Sequence, residues 1–120
     1  NIKAITGRAE DLAQLKELRE SFDVCIARAV ANLPVLSELC IPFVKVGGIF
    51  VAMKGKLQDG ELSQAAEKLG AEPITDACIN KYTLKTLCAE EDRCIISLRK
   101  TAKTDPKYPR NYSQIKKKPL

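Results

Sequence analysis

Apolar residues in this chain form short continuous runs that alternate with segments of helical spacing. The runs at residues 2–6, 23–30 and 49–53 are rich in β-branched and small residues, which predicts three buried strands. Helical segments separate these runs, and a strand, helix, strand order requires a crossover connection. We therefore expect the three strands to be parallel, with the second one buried on both faces.

Three segments show the three- and four-residue spacing of a helical face. The first spans residues 12–22. The second spans residues 34–44, with a kink expected at Pro42. The third is expected to begin at Asp59, a residue type that caps helices, and to end at Gly70.

The pattern changes after the third helix. Residues 73–84 and 93–99 both have the composition of strands, and the segment between them is too short for a helical crossover. These two strands should therefore form an antiparallel hairpin. The sequence predicts an α/β fold in which three parallel strands with helices are followed by a carboxyl-terminal antiparallel hairpin.

Composition narrows the class of protein. The chain has 120 residues, 45% of them hydrophobic, which suits one globular domain. It has no apolar run of the roughly 20 residues that a membrane helix needs and no secretory leader, so we expect a cytoplasmic location and no membrane. Five cysteines with irregular spacing and no histidine indicate neither a disulfide framework nor a metal site.

The net charge of +5 is unevenly distributed along the sequence. Residues 99–120 hold eight of the 20 basic residues and only one of the 15 acidic ones. Prolines and tyrosines interrupt this segment, so we expect residues 101–120 to form an extended basic tail and residues 1–100 to form the folded domain. The tail is either an arm that contacts nucleic-acid phosphates or a solvated terminus.

Two charged residues lie just beyond predicted strands. Glu10 follows the first strand and Arg28 lies near the end of the second, and the carboxyl ends of parallel strands are where such sheets bind ligands. A carboxylate and a cation could therefore face one ligand. Two other interpretations remain open: Glu10 could stabilise a helix N-terminus, and Arg28 could form a salt bridge with Glu10 or Asp11.

A series of short motifs, in order along essentially the whole chain, resembles the bacterial 16S ribosomal RNA methyltransferase G family, also called the glucose-inhibited division protein B family. The motifs are Gly7-Arg8-Ala9-Glu10-Asp11, Phe22-Asp23, Ala27-Arg28-Ala29-Val30-Ala31, Leu36-Ser37-Glu38-Leu39, Val51-Ala52-Met53-Lys54-Gly55, Asp92-Arg93 and Lys107-Tyr108-Pro109-Arg110. The resemblance implies a partial Rossmann-like class I methyltransferase fold. It also implies S-adenosylmethionine-dependent methylation of guanine N7 in 16S ribosomal RNA.

The resemblance also implies roles for individual residues. Ala9, Glu10 and Arg28 match cofactor-binding positions of the family. Five basic residues match positions that would contact RNA: Arg8, Lys54, Arg93, Arg110 and Lys117. No residue is expected to act as a catalytic base, because guanine N7 carries a free lone pair.

The family's glycine-rich cofactor loop has no counterpart in this sequence, so the resemblance covers only the carboxyl-terminal half of the family. The missing amino-terminal half is therefore an expected partner, together with 16S ribosomal RNA or the small ribosomal subunit. Without that half, the edge of the second strand should be exposed and prone to self-association. Two alternatives remain, namely a non-catalytic basic RNA-binding module and a class I methyltransferase with another substrate.

Overall fold

The computed structural model describes residues 1–28, 31–55, 63–74 and 79–120. Its helices are α1 (Ala9–Leu12), α2 (Leu33–Cys40), α3 (Ser63–Lys68) and α4 (Tyr112–Lys117), and a 3-10 turn covers Ile41–Phe43. Its strands are β1 (Phe22–Arg28), β2 (Val44–Lys54), β3 (Ala71–Pro73), β4 (Ile79–Lys85) and β5 (Glu90–Lys100).

The five strands form one mixed sheet in the order β1-β2-β5-β3, with β4 also paired to β5. Strands β1 and β2 are parallel, and β5 is antiparallel to β2, β3 and β4. The predicted α/β class is confirmed, and the antiparallel pairing of β4 with β5 agrees with the predicted hairpin. The prediction of three parallel strands is not confirmed, because β1 and β2 are the only parallel pair among the described strands.

The prediction of a first strand at residues 2–6 is wrong. This segment is exposed, with Ile2 fully accessible and Ile5 46% accessible to solvent. A strand is stabilised by hydrogen bonds to a neighbouring strand, and none of the described strands pairs with this segment. Its apolar composition alone therefore does not produce a strand here.

The helices are shorter than their apolar spacing predicts. Helix α1 ends at Leu12 and turns follow it, so Phe22 lies in β1 rather than on a helix. Helix α2 begins after Asn32, whose side chain accepts a hydrogen bond from the Val35 amide at 3.2 Å. Pro42 lies in the 3-10 turn that follows α2, so the proline is beyond the end of this helix and does not kink it.

The third helix ends as predicted, although its predicted cap, Asp59, lies outside the described residues. Gly70 follows α3 with a φ angle of 77°, a left-handed conformation that glycine adopts without strain. A Cβ atom at this position would also lie 2.5 Å from the carbonyl oxygen of Ala102. Gly70 is therefore required both for the turn and for the close approach of the later chain.

Helices α2 and α3 pack on one face of the sheet and enclose the core there. The centre of this core combines sheet residues with helix residues, all of them fully buried: Phe50, Ala52, Ile96, Leu98, Leu33 and Leu69. The free cysteines Cys25 and Cys40 pack against the edge of this core, consistent with their expected role as small apolar residues.

The opposite face of the sheet, which we call the open face, carries exposed apolar side chains. Val24 and Ile26 of β1 are 49% and 64% accessible, and Met53, Tyr82 and Leu84 are about equally exposed. The prediction that this second strand is buried on both faces is therefore wrong for its described residues. Because β1 is also at the edge of the sheet formed by the described strands, its outer edge and its open face have no covering element among those strands.

The carboxyl-terminal segment is folded against the domain, which corrects the expectation of an extended tail. Tyr108 and Ile115 are buried. The Arg19 guanidinium donates a hydrogen bond to the Tyr108 carbonyl at 2.8 Å, and the Gln14 side chain donates one to the Pro109 carbonyl at 3.0 Å. These long-range hydrogen bonds pair backbone carbonyl groups of the segment with side chains of the domain. They help to order a segment whose composition alone does not favour a fixed structure.

Candidate functional site

Two cations meet at the carboxyl edge of the sheet because β1 and β2 run in the same direction. Arg28 is the last residue of β1, and it pairs with Met53, the residue that precedes Lys54 at the end of β2. Parallel strands place their carboxyl ends at one edge, and the register brings these two side chains to neighbouring positions.

The β4–β5 hairpin contributes the third cation. Lys54 pairs with Cys94 of β5, while β5 itself begins at Glu90 and remains paired with β4 over that extra length. The hairpin therefore extends beyond the end of β2 and forms a wall at the same edge. Arg93 lies in this wall, directly opposite Tyr82 of β4.

A cavity of about 370 Å³, which we call the basic cavity, opens where these elements converge. Its described lining consists of Arg28, Met53, Lys54, Gly55, Tyr82, Leu84 and Arg93. Three cations thus surround a site that also has apolar and aromatic walls. This combination suits a ligand with both charged and ring-shaped parts.

A second cavity of about 340 Å³, which we call the hairpin cavity, adjoins the first. It shares Gly55, Tyr82 and Arg93 with the basic cavity, and its other described lining residues are Lys81, Thr83, Asp92 and Cys94. The Thr83 hydroxyl donates a hydrogen bond to the Asp92 carboxylate at 3.2 Å. The hairpin cavity is therefore lined by both an acidic group and cations.

The charges in the basic cavity differ in their partners. Arg93 forms an ion pair with Glu91, its neighbour two residues earlier. The Arg28 side chain is exposed and makes no hydrogen bond or ion pair with any residue in the part of the chain that the structure describes. The alternative that Arg28 forms a salt bridge with Glu10 or Asp11 is therefore not found, and its guanidinium is accessible to a ligand.

Ala9 and Glu10 lie elsewhere, at the start of α1. The Glu10 carboxylate is buried, and its Oε1 atom lies 3.8 Å from the Arg8 guanidinium. The placement of Glu10 in the first turn of α1 agrees with the interpretation as a helix N-terminal carboxylate. Neither residue is among the described residues that line the basic cavity, so the structure brings Arg28, Lys54 and Arg93 together without Ala9 or Glu10.

Arg110 is held in a structural ion pair. Its Nε and Nη2 atoms donate to the two oxygens of Glu38 at 2.9 and 2.7 Å, and its backbone amide donates to Glu38 Oε1 at 2.9 Å. The hydrogen bonds that the Arg110 guanidinium donates to the Glu38 carboxylate raise the pKa of Arg110. Lys117 is exposed on α4 and lines, with Arg110, a cavity of about 460 Å³. These two residues therefore lie apart from the basic cavity.

No group of three or more potential metal-ligating side chains occurs among the residues that the structure describes. None of the described helices has the length and apolar character required to cross a membrane.

Comparison with known proteins relates this geometry to a family. The family model of rRNA small subunit methyltransferase G matches residues 1–90, three quarters of the chain. The chain belongs to the rRNA small subunit methyltransferase G family. Membership confirms the resemblance indicated by the sequence motifs, and the basic cavity is a feature of this family member.

Curated relatives of the methyltransferase G family match most or all of the chain. The ribosomal RNA small subunit methyltransferase G of Clostridium botulinum strain Loch Maree is 45% identical over the whole chain, which covers 49% of that protein. The protein of the same name from Halalkalibacterium halodurans is 47% identical over 94% of the chain, and that from Lactobacillus acidophilus is 38% identical over all of it. The chain spans about half the length of the curated relatives that it matches.

Tyr82 is the residue of the site that sequence reasoning missed. The motifs pointed to the ends of strands, whereas Tyr82 lies within β4 and enters the cavity wall only because the hairpin extends past β2. Its position next to Lys81 and opposite Arg93 was the available signal, but the register of the hairpin was needed to interpret it.

Proposed function

We propose that this chain is part of an S-adenosylmethionine-dependent enzyme that methylates guanine N7 in 16S ribosomal RNA. The observation that carries the proposal is the convergence of Arg28, Lys54 and Arg93 on one cavity at the carboxyl edge of the sheet, in a member of the methyltransferase G family. We also propose that the protein is cytoplasmic and that its partner there is the small ribosomal subunit.

The basic cavity fits part of the cofactor. Arg28 offers an accessible guanidinium, which can donate hydrogen bonds to a carboxylate or hydroxyl group, and Met53 and Leu84 offer apolar surface to a ring. When bound, S-adenosylmethionine supplies an electrophilic methyl group. Ala9 and Glu10 are proposed, by family resemblance, to hold the adenosine part, although they do not line the cavity in the described residues.

The reaction requires that the base and the methyl group be positioned, and it requires no proton transfer. Guanine N7 is an acceptor with a free lone pair, so no residue of this chain has to remove a proton from it. The chain has to hold the base in line with the methyl group at roughly 3 to 3.5 Å and to exclude water. Methylation places positive charge on the guanine ring, so cations at that exact position would oppose it.

Lys54 and Arg93 are therefore proposed to bind the phosphates of the RNA rather than the reacting base. Both line the basic cavity, and each cation placed near a phosphate releases condensed counterions. Arg8 and Lys117 are exposed and are proposed as further phosphate contacts on the basis of the family resemblance. Arg110 is left out of this proposal because Glu38 occupies its guanidinium.

The open face supports the proposed amino-terminal half as a partner. Side chains such as Ile26 would lose most of their solvent exposure under a covering layer, and α/β sheets of this type are normally covered on both faces. The chain spans about half the length of its curated relatives, so the covering layer is proposed to come from the other half.

The proposed truncation is tested by S-adenosylmethionine binding. Isothermal titration calorimetry would compare this 120-residue chain with a version extended at its amino terminus to the length of the relatives. We expect the extended protein to bind much more tightly, because the remainder of the cofactor site is proposed to lie in the added half. Equal and tight binding by both proteins would contradict the proposal.

The proposed RNA contacts are tested by the salt dependence of binding. In the extended protein, Lys54→Gln and Arg93→Gln should each reduce the slope of the logarithm of the association constant against the logarithm of salt concentration by about one unit. Lys16→Gln is a matched control, since Lys16 is exposed on the turns after α1 and lines neither cavity in the described residues. An unchanged slope in both variants would refute these contacts.

A further inference from the structure

Tyr82 combines exposure with a position between two cavities. Its side chain is 41% accessible to solvent, and it lines both the basic cavity and the hairpin cavity. Its hydroxyl makes no hydrogen bond within the described residues. An apolar ring that is held in a strand yet left uncovered presents a flat surface to which a planar ligand can stack.

The register of the hairpin decides which charges share a face with the ring. Arg93 lies directly opposite Tyr82 and on the same face, whereas Lys81 and Asp92 occupy alternate positions that face the other way. Asp92 lines the hairpin cavity, where its negative charge would repel a phosphate. The face that carries Tyr82 therefore favours a planar group beside the ring, with an anionic group at Arg93.

We propose that Tyr82 stacks on an unpaired base of the substrate RNA on the open face of the hairpin, with a neighbouring phosphate held by Arg93. This inference rests on the proposed function and adds to it a base-binding position at the hairpin wall. Stacking on an aromatic ring tolerates any base, because every base has a π face. The site would therefore hold a nucleotide near the target without reading its sequence.

The test is fluorescence anisotropy with a labelled single-stranded RNA of about ten nucleotides, a length close to the site sizes of single-strand binders. Tyr82→Ala and Tyr82→Leu should weaken binding roughly 5-fold to 150-fold, the range expected for loss of one base–aromatic stack. Tyr82→Phe should bind as the wild type does, because it keeps the ring. Tyr82→Leu retains an apolar side chain in the strand and guards against loss of folding as the cause.

Two further readouts separate stacking from charge. The Tyr82 variants should leave the salt slope of RNA binding and the affinity for inorganic polyphosphate unchanged, since polyphosphate has no bases. The chain contains no tryptophan and only three tyrosines, so quenching of tyrosine emission by a stacked base can be observed directly. RNA should quench the emission of the wild type more strongly than that of Tyr82→Ala.

Tyr112→Ala is the matched control, because Tyr112 has nearly the same exposure, 42%, but lies on α4 away from both cavities. This variant should bind RNA as the wild type does. Equal binding by the wild type and Tyr82→Ala, or a loss in Tyr112→Ala alone, overturns the inference and leaves the proposed function standing. Absence of RNA binding by the wild type overturns the RNA contacts of the proposed function and the inference together.

Discussion

The ion pair between Arg110 and Glu38 provides a direct test of what the carboxyl-terminal segment does. Glu38 is completely buried on α2, and its carboxylate accepts three hydrogen bonds from Arg110. Replacing Arg110 by alanine removes the two side-chain donors and leaves a buried negative charge with one backbone amide. The structure therefore predicts that Arg110→Ala destabilises the fold, whereas a role in RNA contact alone would not.

The expected loss can be worked out from the contacts. Removing one partner of a buried ion pair costs about 3 to 5 kcal/mol, and a hydrogen bond to a charged group contributes about 1.5 to 3 kcal/mol. The Arg110 side chain is 22% accessible, so water can partly replace it, and the lower end of the range applies. A loss of about 3 kcal/mol corresponds to a decrease in the melting temperature of about 12 °C for a chain of this length.

Urea and thermal denaturation followed by far-ultraviolet circular dichroism would measure this loss. Lys117→Ala, which removes an exposed cation from the same segment, should change the free energy of unfolding by less than about 0.5 kcal/mol. If Arg110→Ala were no more destabilising than Lys117→Ala, and instead reduced the salt dependence of RNA binding, the structural role of Arg110 would be refuted.

Three further predictions concern pH, thiol reactivity and a turn. Burial alone would raise the pKa of Glu20. The hydrogen bond from the Thr104 amide and the ion pair with Lys100 lower the pKa by a larger amount, so the net pKa of Glu20 lies below the ordinary value. Its contribution to stability should be complete above about pH 5 and lost as the pH falls through the lowered pKa, so Glu20→Gln should flatten the acid limb of urea midpoints measured against pH. The hydrogen bond from Cys40 lowers the pKa of Cys25, so Cys40→Ala should shift the pH profile of Cys25 alkylation, followed by mass spectrometry, to higher pH, and an unshifted profile would contradict this pairing. Gly70→Ala should cost about 1 to 3 kcal/mol in urea denaturation, because it forces alanine into a left-handed turn against a backbone oxygen, and a loss below about 0.5 kcal/mol would contradict that geometry.

The sequence predicted the parts of the fold and site that depend on local pattern. Apolar runs placed β1 and the second half of β2, and the rule that parallel strands share a carboxyl edge brought Arg28 and Lys54 to one place. Arg93 joined them through the predicted hairpin. These features follow from patterns of a few neighbouring residues, which can be read from one sequence, and from general rules of strand pairing.

The parts that were missed depend on contacts between distant residues. Nothing local distinguishes Glu38 from a solvated helix residue, yet it is buried because Arg110, 72 positions later, folds back onto it. The same contact and those of Arg19 turn the predicted tail into a packed segment. Residues 2–6 show the opposite case, because their composition is strand-like but none of the described strands pairs with them, and no strand forms.

Strand β5 has a consequence for the order in which the fold can form during synthesis. It follows all the other described strands, yet it is the pairing partner of β2, β3 and β4. A nascent chain can therefore pair β1 with β2 early, while β3 and β4 wait unpaired until β5 has been translated, at about 5 to 20 residues per second. The hairpin wall that carries Tyr82 and Arg93 is thus among the last features to be built, and the cavity it completes cannot exist on a partly translated chain.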